Sequence, residues 1–139
     1  MPVNEVLSKV PVGRDTGGEF FKQLFTENGD LRVHWDCEEM DADMIPRSQR
    51  LVMEGAQMLQ CFCGLASDYV SNKANFKNGA HHLASDFKEK GLKLAALKDF
   101  KTALLGTFAS KGHAQDKQAG EWDAFFNDLT EEMKAAGLS

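Results

Sequence analysis

Three cysteines, four histidines, a run of carboxylates and one acid set on an apolar stripe are the side chains of this sequence with reactive potential. Cys61 and Cys63 are separated by one residue. A dithiol redox motif has two residues between its thiols, and on a helix these two side chains diverge, so one reads as a core thiol and the other as near-surface. His81 and His82 also diverge, and no Cys or carboxylate recurs at ligand spacing around them; both read as solvent-facing, with no metal site. His34 beside a turn and His113 in a loop read as surface residues. Asp36, Glu38, Glu39, Asp41 and Asp43 crowd one stretch, yet the glycine and alternating spacing of a calcium loop are absent, which leaves a solvated loop. Glu54 has the chemistry of a general acid if its pKa is raised. No nucleophile elbow, phosphate loop or paired acid and base accompanies it. The residues point to no catalytic constellation, and to a binding or structural protein rather than an enzyme.

The elements that position these residues are helical. Thr16 is the expected N-cap of a helix whose apolar face carries Phe20, Phe21, Leu24 and Phe25 and which ends at Asn28-Gly29. DLRVHW reads as one short turn, and 36–47 as an acidic loop. From about 47 to 70, Leu51, Val52, Met58, Leu59, Phe62, Leu65, Ala66 and Tyr69 step at helical intervals, with Gly55 on the same stripe. A glycine there marks close approach of another backbone or a ligand. Further helices are expected over 73–90 (Phe76, Ala80, Leu83, Ala84, Phe87; stop at Gly91), 95–111 (Leu97, Phe100, Leu104, Phe108) and 118–136 (Trp122, Phe125, Phe126, Leu129, Met133; stop at Gly137). No segment alternates as a strand and no internal repeat is present. The fold class is all-α.

The chain has 139 residues, the size of one domain over 1–139. Sixteen Lys and Arg against 21 Asp and Glu give a net charge of −5, which removes the electrostatic driver for nucleic acid or an anionic membrane. It selects no oligomeric state. No stretch approaches the ~18 unbroken apolar residues of a membrane span. MPVNEVLSKV lacks the pattern of a signal peptide. Three cysteines, two of them unable to pair with each other, suit a reducing, cytoplasmic address. Ten Phe against one Tyr predict a thick apolar interior.

Particular segments sharpen this. GGEFFKQLFTENGDLRVHW (17–35) resembles the B and C helices of globins, where an apolar-basic-x-Leu-Phe segment precedes a short turn ending in an aromatic residue. RSQRLVMEGAQML (47–59) resembles the start of the globin E helix, and HHLASDFKEKGL (81–92) the F-helix pattern Leu-Ala-x-x-His-x-x-Lys. EWDAFFNDLTEEMKAAGLS (121–139) is similar to the last helix of invertebrate globins, and the overall spacing to nematode-type globins. The resemblance spans 17–138 and implies a globin-like fold of six to seven helices with a short first helix.

It also implies a heme pocket, and the residues at its positions depart from the family. In this register Phe87 stands where the family has the proximal His that ligates iron. Glu54 replaces the distal His or Gln beside the retained Gly55, Met58 the distal Val or Ile, and Trp35 the Phe that stacks on heme; Phe21 and Leu83 complete the former pocket positions. A benzene ring has no lone pair for iron. The larger apolar side chains share one direction: they fill a space that would otherwise cost ~24 cal/mol per Å³ of cavity. Glu54 must then tilt to water, find a cation or hold a proton.

Two expectations follow. In the first the chain binds no heme in the ordinary way, carries no expected cofactor and serves a structural, regulatory or apolar-ligand role. The alternative is a divergent oxygen- or gas-binding globin with heme held through His82. Against the alternative, the 13 residues from Phe87 to Phe100 match the family's layout. His82, five residues earlier, is rotated by about 140° away from the Leu83–Phe87 stripe.

Overall fold

The computed structural model describes residues 13–110 and 119–138. Five α-helices and two 3-10 segments follow in order: α1 (Arg14–Glu27), 3-10 turns over Gly29–Trp35 and Ala42–Arg47, α2 (Gln49–Ser71), α3 (Lys73–Lys90), α4 (Ala96–Ser110) and α5 (Ala119–Ala135). No strand occurs among the described residues. The expected short first helix and His113 lie outside them, as does the side chain of Phe108.

α1 begins earlier than the sequence suggests. Its N-cap is Gly13, and Thr16 sits one turn inside. The Thr16 hydroxyl reaches back instead, accepting from the Gly13 N–H at 2.9 Å. Thr16 thus supplies the returning half of a capping interaction rather than the cap. Ser48, which periodicity did not single out, caps α2 by accepting from the Leu51 N–H at 3.3 Å. The acidic stretch is also more ordered than a loop. Its second half winds into the 3-10 turn over Ala42–Arg47, where Pro46 is accommodated and Ile45 is driven into the core.

The apolar faces meet as their spacing predicts. α1 packs on α2 and α4, α2 on α3, and both α3 and α4 on α5. Glycine sets the α1–α2 crossing. A Cβ on Gly17 would lie 2.6 Å from the Val52 carbonyl oxygen, and one on Gly55 would collide with the Gly17 carbonyl. Gly55 therefore marks a backbone contact, which turns the adjacent Glu54 and the Met58 turn toward the neighbouring groove.

α2 and α3 are joined by Asn72 alone. It closes α2 with a hydrogen bond from its N–H to the Asp68 carbonyl at 2.7 Å, and opens α3 by accepting from the Asn75 N–H at 3.1 Å. α3 then folds back along α2. Gly91 ends α3 at φ +77°, with Leu92 N–H bonded to the Phe87 carbonyl at 2.8 Å and Gly91 N–H to that of Lys88 at 3.1 Å. This paired closure stabilises the last turn and fixes the height of Phe87 against the core.

Candidate binding site

A crevice of about 410 Å³ opens between α2 and α3. α2 contributes Glu54, Gln57, Met58 and Cys61, which recur at three- and four-residue steps and so share one face. α3 contributes Leu83, Asp86, Phe87, Glu89 and Lys90, and Trp35 closes the inner end from the first 3-10 turn. Trp35, Met58, Leu83 and Phe87 form the apolar part, and the charged groups line the remainder.

Its floor is a chain of rings. Phe87 is 1% exposed and lies 5.4 Å from Phe100, centroid to centroid. Trp35 meets Phe100 edge-on at 6.0 Å and Phe21 edge-on at 5.3 Å, and lies tilted against Phe25 at 5.4 Å. Phe62 adds a further contact with Phe100 at 6.0 Å. Tilted and edge-to-face pairs of this kind contribute ~0.5–1.5 kcal/mol each beyond burial. Phe100 of α4 is thus the point where the ends of the crevice floor are tied together.

The charged groups are partly engaged. Glu54 pairs with Arg50 at 3.3 Å, and Arg50 also donates to the Trp35 carbonyl at 2.9 Å. The Lys90 ammonium lies over the Trp35 ring, 4.9 Å from its centroid. The carbonyl of Lys90 meets His34 Nδ1 at 2.8 Å, so His34 is not the free surface residue its position suggested: it ties the first 3-10 turn to the end of α3.

Five of the sequence-selected residues, Trp35, Glu54, Met58, Leu83 and Phe87, come together in this crevice. Phe21 supports it from behind through Trp35. His82 does not join them: its side chain is 78% exposed and its Nε2 lies 3.7 Å from Asp86. His81 meets the solvent-facing expectation only in part: its side chain is 38% exposed, but its Nε2 is covered, 3.7 Å from a Glu132 carboxylate oxygen on α5. Cys61 was considered only as a thiol, and Gln57, Asp86, Glu89 and Lys90 escaped sequence reasoning. Their signal was present in the i+3 and i+4 steps from Glu54, Met58 and Phe87, but it needs the helix crossing to be read.

The donor set is limited. The lining offers a thioether, a thiol, carboxylates, an amide and an ammonium, and no imidazole. Burial, assisted by Asp86, pushes the Cys61 thiol up to about 11. Burial raises Cys63 to about 11 as well and lifts Cys37, whose side chain is in the core. Cys61 and Cys63 are both half-buried, so the expected division into core and surface thiol falls instead between Cys37 and this pair. All three are unpaired. No group of His, Cys, Asp and Glu suited to a metal ion occurs among the described residues.

Comparison with known proteins places this architecture. A globin-like protein of Caenorhabditis elegans is 26% identical over 121 residues, covering 86% of this chain and 76% of that protein. A globin-like host-protective antigen of Trichostrongylus colubriformis is 29% identical over 134 residues, covering 93% and 77%. The crystal structure of the C. elegans globin-like protein GLB-1 superposes with a TM-score of 0.84 at 25% identity, over 95% of this chain and 87% of that one. The hemoglobin of the botfly Gasterophilus intestinalis shares the fold at a TM-score of 0.79 and 18% identity, over 95% and 89%. The globin family model matches residues 18–133, and the chain belongs to the globin family.

Proposed function

We propose that this globin does not hold heme through a protein–iron bond, and that the crevice between α2 and α3 binds a small ligand with a largely apolar body. Globins as a rule carry heme, held by a proximal imidazole. In the register of the family resemblance Phe87 takes that place, and its close packing on Phe100 is the observation that carries the reading. The ring is part of the core, and it offers iron no lone pair.

The other donors do not compensate. Cys61, with its pKa pushed up to about 11, would have to give up its proton at a cost before it could serve as a thiolate ligand. His82 is turned to solvent and to Asp86, off the crevice lining. The Met58 thioether also lines the crevice, but where a thioether ligates heme iron it does so opposite an imidazole, which this lining lacks. Trp35, bulkier than the family's Phe at this position, and Met58, longer than Val or Ile, support a pocket reshaped for a smaller occupant. The role is binding, with structural or regulatory consequences, rather than catalysis. Three unpaired thiols support a cytoplasmic address.

The test is a hemin titration of the purified protein followed in the visible spectrum. The expected spectrum is that of free hemin at every ratio. A saturable Soret shift at one equivalent overturns the reading. His82→Ala then separates the alternative, since loss of the shift in that variant would assign the iron to His82.

A further inference from the structure

We infer that the crevice between α2 and α3 takes an organic cation, an ammonium carried on an apolar body, seated against the face of Trp35. The inference rests on the reading that no porphyrin occupies this crevice.

The first observation is the Lys90 ammonium, 4.9 Å from the Trp35 centroid. An indole face is the strongest cation–π partner among the side chains, and this one is held rigid: Trp35 is 2% exposed and wedged among Phe21, Phe25 and Phe100. Lys90 has no ion-pair partner within 4.0 Å among the described residues, so the ring face is the contact its charge has found. The chain's own half-buried lysine thus marks a seat for a cation, on a flexible stem that can swing to water when another cation takes its place.

Charge in the lining points the same way. Glu54, Asp86 and Glu89 line the crevice with Lys90 as its only cation. Arg50 offsets Glu54 in part from the preceding turn. Three carboxylates against these two cations leave the site negative. An anionic ligand would meet two carboxylates with no cation paired to them except a protonated His82 beside Asp86. A neutral apolar ligand would leave the acids without a role.

The shape completes the description. Met58, Leu83 and Phe87 beside Trp35 give a greasy surface for the ligand's body, and about 410 Å³ accommodates a single-ring or short-chain amine rather than a polycyclic one. The ligand class is a monovalent aralkyl or alkyl ammonium, including quaternary ones, whose low hydration favours the aromatic seat.

Benzyltrimethylammonium is the probe, with neopentylbenzene as the neutral isostere. Binding is followed by calorimetry and by the indole N–H resonances of Trp35 and Trp122. The cation is expected to shift Trp35 and not Trp122, saturably, and to bind at least tenfold more tightly than the isostere. Lys90→Met removes the competing ammonium and is expected to tighten the cation several-fold without changing the isostere. Glu54→Gln with Asp86→Asn is expected to weaken the cation about tenfold. Equal binding of cation and isostere, binding of the cation to neither protein, or binding to Lys90→Met alone each overturns the proposal. The hemin titration is separate. A protein that binds neither hemin nor the cation loses only this inference, whereas one that binds hemin and thereby excludes the cation loses the underlying reading too.

Discussion

A phenyl ring and an imidazole are close enough in size to share one place on a helix, and they differ in the lone pair and in how much they gain from a dry core. At position 87 the dry core is present: the ring is enclosed and rests on Phe100. Phe87→Ala should therefore cost about 3–4 kcal/mol of stability, the range of a fully packed aromatic, measured by urea unfolding. A loss below about 1 kcal/mol would mean that the ring merely borders an open space. Tyr69 allows a second measurement at this scale, because it is the only tyrosine. Its hydroxyl donates to an Asp128 carboxylate oxygen at 2.6 Å, and that bond, with burial and the carboxylate's charge, raises its pKa to about 12. The folded value lies above the ordinary one of about 10. Its contribution to stability is thus complete below pH 10 and is lost as pH rises through about 12. Tyrosinate absorbance of the native protein should titrate near 12, and in Asp128→Asn fall back toward 10; an unchanged titration in that variant would remove the carboxylate as the cause.

Between residues and the whole stands the helix crossing that aims the crevice. Gly55 and Gly17 leave no room for a Cβ between α1 and α2, and what each would meet is backbone, which cannot swing aside. Gly55→Ala should destabilise by at least ~2–3 kcal/mol in denaturant, more than overpacking against a mobile side chain does. It should also disturb the Arg50–Glu54 pair, since the α2 turn bearing Glu54 must move; an Ala variant within about 0.5 kcal/mol of the native protein contradicts the contact. This crossing was legible because a glycine on an apolar stripe gives up helix propensity and buried area, a loss that close backbone packing offsets. The caps were less so. Thr16 and Ser48 both stand before apolar runs, and only three-dimensional context decides that Ser48 accepts from the helix while Thr16 reaches back to Gly13. The 3-10 turn over Ala42–Arg47 has no apolar period, so its order, imposed by Ile45 docking in the core, left no pattern to read.

For the molecule as a whole, the order of amphipathic segments carried the fold, because each apolar face needs a neighbour and the glycines at 55 and 91 fix where the helices cross and stop. The apolar half of the crevice was legible through the same stripes. Its charged half was not: Asp86, Glu89 and Lys90 look like an ordinary solvated helix end until α3 is folded back over α2 and its last turn meets Trp35. On the proposed reading the heme space is narrowed by the whole rather than by one residue, since Phe21 of α1, Trp35, Met58 of α2, Phe87 of α3 and Phe100 of α4 converge on the crevice and its floor. An imidazole at 87 should then be insufficient for heme binding. A ligand bound at 100 times its dissociation constant stabilises the native state by about 2.7 kcal/mol, which in a domain of this size raises the melting temperature by on the order of 10 °C. Hemin is expected to leave the melting temperature of Phe87→His unchanged, because an imidazole at 87 supplies a ligand while Trp35 and Phe100 still occupy the space beside it. A hemin-dependent rise of that size in Phe87→His, with a Soret shift, would mean instead that the rings part at little cost. The globin cavity would then be latent in this chain, closed by one side chain rather than by the packing of five elements.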